Sequence, residues 1–141
     1  MGREYRPNVR ESAVISRLDH DKEHQKHQAF RKLQDNLDLL GGRITATLIE
    51  QKLIETTSKA DLESQIHQCL ESLAASEDFD IQYQTANLKE MVLRPHPMSL
   101  YVTAFIIEKL IDHRCVVDIY GTDEEIYRNV NRILSRYVPL F

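Results

Sequence analysis

A chain of 141 residues has the length of one domain with an appendage and is too short for two ordinary domains. With 42% hydrophobic and 28% charged residues it can bury a core, and a formal charge of −4 argues against a dedicated nucleic-acid binder. Two cysteines, Cys69 and Cys115, can build neither a disulfide scaffold nor a cysteine-rich zinc site, and no run approaches the roughly 20 apolar residues of a membrane span.

The chain opens Met1-Gly2-Arg3-Glu4-Tyr5-Arg6, which carries no secretion signal, so a soluble cytoplasmic protein of a reducing compartment is expected. Residues 1–43 hold nine Lys/Arg against seven Asp/Glu, leaving the remainder acidic. From Asp19 to Gln28 no side chain is apolar, a composition that fits a projecting helix or a flexible arm. Residues 1–28 are therefore read as a polar arm and residues 29–141 as a single α+β domain. Ala29, Phe30, Leu33, Leu37 and Leu40 then recur at helical spacing, and Gly41-Gly42 should stop the helix that begins near Asp19.

Ile44, Ala46 and Leu48 alternate with threonines, which predicts a first strand over 43–50. The continuation to Glu55 also suits a helix, and that alternative would leave a three-stranded sheet. Thr56-Thr57-Ser58 offers an N-cap to a helix whose stripe is Leu62, Ile66, Cys69, Leu70 and Leu73. On that stripe Cys69 reads as a small buried hydrophobe. Phe79, Ile81 and Tyr83 alternate with polar residues and predict a second strand, followed by a third over Glu90–Arg94 that Pro95-His96-Pro97 ends. Ser99 to Asp112 predict a helix buried on more than one side, Arg114 to Tyr120 a fourth strand. Thr122 and Glu125 stand in capping-box spacing before a last helix, in which Arg128, Arg132 and Arg136 take the wet side.

That order predicts a ferredoxin-like βαββαβ core, an antiparallel sheet with helices on one face, extended by an N-terminal helical arm and a C-terminal helix. No internal repeat or low-complexity tract is expected to interrupt it.

Three constellations carry possible chemistry. His20, His24 and His27 share one helix face and could offer two or three imidazoles to a transition metal, against the plainer reading of a solvated face. Arg94-Pro95-His96-Pro97 could present a cation and a general base to a small anionic substrate, with Tyr120 on the open sheet face nearby; the plainer reading is a stiff connection. Gly121-Thr122-Asp123-Glu124-Glu125 resembles a phosphate-binding turn, but three acidic residues in the first helical turn make it a cap. No nucleotide-binding glycine fingerprint occurs, and the sheet lacks the central aromatics that stack RNA bases. The expectation is a non-enzymatic regulatory or protein-interaction protein that self-associates, binds a protein partner and needs no cofactor. An enzyme acting near Arg94, His96 and Tyr120, or a metal-responsive protein using the histidine row, is the rival.

Overall fold

Aliphatic side chains four residues apart decide the first half of the fold. The structure, a computed structural model, describes residues 23–92 and 95–138 and opens with helix α1 (residues 23–35). Ala29 and Leu33 are its buried positions. At Asn36 the backbone turns to φ −116° and ψ 18°, and the side-chain amide donates to the Lys32 carbonyl at 2.8 Å. Helix resumes as α2 (Leu37–Glu50) and runs through Gly41-Gly42 instead of stopping there. Leu40, Ile44 and Leu48 are each 0% exposed, and Thr45 is satisfied within the helix by donating to the Gly41 carbonyl at 2.7 Å. Burying three aliphatic side chains contributes about 1.5–3 kcal/mol each, which outweighs the strand propensity of Ile44-Thr45. The expected first strand is thus a helix.

Two 3.0 Å bonds close α2, Leu53 N–H to the Leu48 carbonyl and Lys52 N–H to the Ile49 carbonyl, with Lys52 at φ 57°. Strand β1 (Ile54–Thr56) follows, then α3 (Lys59–Ala75), capped by Ser58, whose hydroxyl accepts the Asp61 N–H at 3.2 Å. Helix α4 (Asp78–Lys89) replaces the expected second strand. A strand would put Ile81 and Tyr83 on one face, yet Ile81 is 1% exposed and Tyr83 79%. The buried set is Ile81, Thr85 and Leu88, a helical spacing. Of the expected third strand, residues 90–92 form a turn, and 93–94 lie outside the described residues. Helix α5 (Pro97–Leu110) has proline at its first position and His96 as its cap; β2 (Val116–Ile119) and α6 (Asp123–Leu134) complete the chain. The Thr122–Glu125 capping box forms as its spacing predicts.

The ferredoxin-like core is therefore overturned. Among the described residues there are six helices and one two-stranded antiparallel ribbon, with Ile54 opposite Ile119 and Glu55 opposite Asp118. A three-stranded sheet is not formed either.

The expectation of no internal repeat also gives way. Units α2–β1–α3 and α5–β2–α6 have the same order, and their strands pair with each other. Helix α2 packs on both α3 and α6, while α5 packs on both α6 and α3, so exchanging the units maps the packing onto itself. Buried Leu40, Gly41, Ile44, Thr45 and Leu48 correspond in register to buried Met98, Ser99, Val102, Thr103 and Ile106. Likewise Leu62, Ile66, Cys69, Leu70 and Leu73 correspond to Ile126, Val130, Ile133, Leu134 and Tyr137, counted from the N-caps Ser58 and Thr122. Thr45-Ala46 and Ile49-Glu50 reappear as Thr103-Ala104 and Ile107-Glu108. Helix α4 lies outside this scheme, packed on α5.

Candidate functional site

His96 is held by the backbone around it. Its N–H donates to the Tyr127 hydroxyl at 2.9 Å, Nδ1 receives the Ser99 N–H at 3.4 Å, and Nε2 lies 3.3 Å from the Val138 carbonyl. A neutral ring protonated at Nε2 satisfies both sides. Burial pushes its proton affinity below the usual imidazole range, and only 4% of the residue is exposed. Its ring caps α5, with both nitrogens engaged by backbone groups. Arg94 lies outside the described residues. Tyr120 sits beside the ribbon, where its hydroxyl donates to Glu55 Oε2 at 2.7 Å; that hydrogen bond and the carboxylate's charge hold it above the usual phenol range. The partners of His96 lie on α5, α6 and the residues after α6, whereas Tyr120 reaches β1, so the two side chains are not engaged together.

His20 lies outside the described residues, and His24 and His27 are exposed on α1. Among the described residues no three His, Cys, Asp or Glu side chains are placed to hold a metal ion. Among the described residues His67 meets two carboxylates, Asp38 (2.9 Å) and Glu71 (3.3 Å), an arrangement that ties α3 to the start of α2. Spacing alone pairs His67 with Glu71 one helical turn on, but not with Asp38.

Neither cysteine is a ready nucleophile. Burial pushes the Cys69 thiol up to about 12, and its S–H faces the Phe105 carbonyl at 3.8 Å. Cys115 Sγ lies 2.9 Å from His113 Nδ1, the nitrogen that also receives the Cys115 N–H, yet Cys115 is 2% exposed. Burial at this level keeps the thiol from solvent.

The ribbon carries exposed apolar side chains. Val117 and Tyr120 are 57% and 61% exposed. Beside them Ile49, Lys52, Ile54, Glu55, Thr56 and Tyr120 line a dent of about 340 Å³. Among the described residues each strand of the ribbon pairs on one side only. The sequence marked Tyr120 as lying on an open face; it missed Lys52 and Ile54, because the turn that aims them depends on where α2 ends. The chain matches no family model, no curated protein and no solved structure.

Proposed function

We propose that this chain is a small non-enzymatic interaction protein that associates with a second copy of itself through the β1–β2 ribbon. The observation that carries this is the apolar dent between Ile49, Ile54 and Tyr120, set on a strand whose second edge pairs with none of the described residues' strands. Its flanking charges favour a second copy over an unrelated partner. Lys52 and Glu55 both line the dent, so a two-fold contact can set Lys52 of one copy against Glu55 of the other. That contact also relieves Glu55, which faces Asp118 across the ribbon. The patch is small for an obligate dimer, so association is weak and reversible. Both cysteines are free and buried, which suits a reducing compartment such as the cytoplasm.

Sedimentation equilibrium at tens of micromolar tests this reading. A dimer is expected for the native chain and a monomer for Lys52→Glu or Glu55→Lys alone, with dimer recovered in the double variant. A native chain that stays monomeric throughout, or a double variant that does not recover, overturns it. Thermal unfolding of each variant separates lost contact from lost fold.

A further inference from the structure

The two halves of the internal repeat treat one groove differently. Between α3 and α5 it is filled: Phe105 is 4% exposed, Leu73 is 0%, and Tyr101 stacks on Phe30 of α1 with ring centroids 6.4 Å apart. The corresponding groove between α2 and α6 holds a cavity of about 260 Å³, lined by Arg43, Thr47, Arg132, Ile133, Arg136 and Tyr137 among others. In register, Thr47 stands where the other half has Phe105, Arg43 where it has Tyr101, and Arg132 and Arg136 where it has Gln68 and Ser72. The missing ring opens the space, and the arginines charge it.

Among the described residues none of these three guanidinium groups is paired with a carboxylate. Arg43 lies over the Tyr137 ring, 5.7 Å from its centroid, a cation–π contact. Arg132 gives one donor to Asn129 Oδ1 at 3.0 Å and keeps the rest. By contrast Arg128, one turn earlier on α6, is neutralised by Glu124 at 2.9 Å. Arg132 in the last turn of α6 and Arg136 two residues beyond its end bring like charges together, which costs stability. Their place at the C-terminal end of α6 offsets part of that cost through the helix dipole, but Arg43 in the interior of α2 has no such compensation. The dipole's partial negative charge, about half an electron, is outweighed by three cations.

We propose that this cavity binds a small phosphate monoester, its anionic head held by Arg43, Arg132 and Arg136 and its organic part against Thr47, Ile133 and the Tyr137 ring. Three guanidinium groups match the roughly −1.5 to −2 charge and several acceptor oxygens of a phosphate monoester better than a single carboxylate. A volume of about 260 Å³ falls just below the roughly 300–1,000 Å³ of drug-sized ligand sites, so the organic part is compact. A net charge of −4 on the chain works against an extended polyanion while leaving one dianion held by three arginines favourable.

Isothermal titration calorimetry of the full chain at low salt, with glycerol 3-phosphate as probe, tests the assignment. Saturable binding is expected, with inorganic phosphate weaker and glycerol silent. Arg43→Gln and Arg136→Gln should each weaken it about tenfold, the loss of one charge-assisted contact, while Arg128→Gln leaves it unchanged. Thr47→Phe, which restores the ring of the other half, should abolish binding with the circular dichroism spectrum intact; should that variant unfold, the exposed arginine variants still decide. The proposal is overturned by absence of heat up to about 10 mM probe, a concentration at which contacts worth even 3 kcal/mol register. It is equally overturned if Arg128→Gln loses as much affinity as Arg43→Gln, if inorganic phosphate binds as tightly as the ester, or if the chain binds only phosphatidic-acid vesicles or polynucleotide.

Discussion

The Tyr127 hydroxyl accepts the His96 backbone N–H at 2.9 Å, tying the middle of α6 to the entrance of α5. Both residues are buried, at 5% and 4% exposure, so water does not substitute easily for the phenol. His96 stands between two prolines that have no N–H of their own, which leaves this donor as the polar anchor of the turn. Tyr127→Phe removes the acceptor and keeps the ring. It should destabilise the chain by about 1–3 kcal/mol in urea or guanidinium unfolding, the cost of a buried donor left without a partner. A change within a few tenths would mean that the bond contributes nothing.

His96 also sets a pH dependence of known sign. Burial, the largest cause, lowers its proton affinity in the fold below the ordinary 6.5. Below pH 6.5 the unfolded chain therefore binds a proton that the folded chain refuses, and stability falls with pH until the folded value is reached. Above 6.5 the contribution is fully present. Protonation at Nδ1 would also cancel the cap that this nitrogen gives to the Ser99 N–H. His96→Asn keeps a capping oxygen and does not titrate, so its unfolding free energy should vary less than the native chain's between pH 7.5 and 5. The difference between the two curves isolates His96 from the other histidines. Parallel curves would refute the assignment.

Much of the chain's punctuation was legible in the sequence, because it depends on neighbours within four residues. Ser58 and the Thr122–Glu125 box each mark a helix start where the structure has one, whereas Pro97, read as ending a strand, turns out to open α5. The stripe through Leu62, Ile66 and Leu73 was equally local. What failed were segments where two periods coexist. Leu40, Ile44 and Leu48 satisfy a four-residue period, while Ile44, Ala46 and Leu48 satisfy a two-residue one, and only the partners supplied by α3 and α6 choose between them. The repeat stayed hidden because α4 separates its halves and its equivalences are of burial more than identity. The arginine cavity was illegible for a further reason. Arg132 and Arg136 do sit on the wet side of α6, but Arg43 reaches them only once α2 is a helix packed beside them.

Helix α2 carries its glycines and its turn residue in each other's usual places. Gly42 lies in the helix interior, where glycine costs about 1 kcal/mol relative to alanine. Lys52 occupies the left-handed position just past the end, at φ 57°, where glycine is the customary residue because a Cβ there costs about 1–2 kcal/mol. A Cβ at Gly42 would meet only Glu63 Oε1 at 3.1 Å, the far end of an exposed side chain that can swing away. Gly42→Ala should therefore raise stability by about 0.5–1 kcal/mol, with part of the gain coming from a less flexible unfolded chain. Lys52→Gly should raise it by about 0.5–1 kcal/mol, relief of the strained backbone exceeding the added freedom of the unfolded state. The two sites are about 15 Å apart along the helix and share no partner, so the double variant should show the sum. Denaturant midpoints at unchanged slope would register each gain. A loss at Lys52→Gly would mean that the lysine side chain does more at the ribbon than the backbone strain it imposes, and a loss at Gly42→Ala that Glu63 cannot yield.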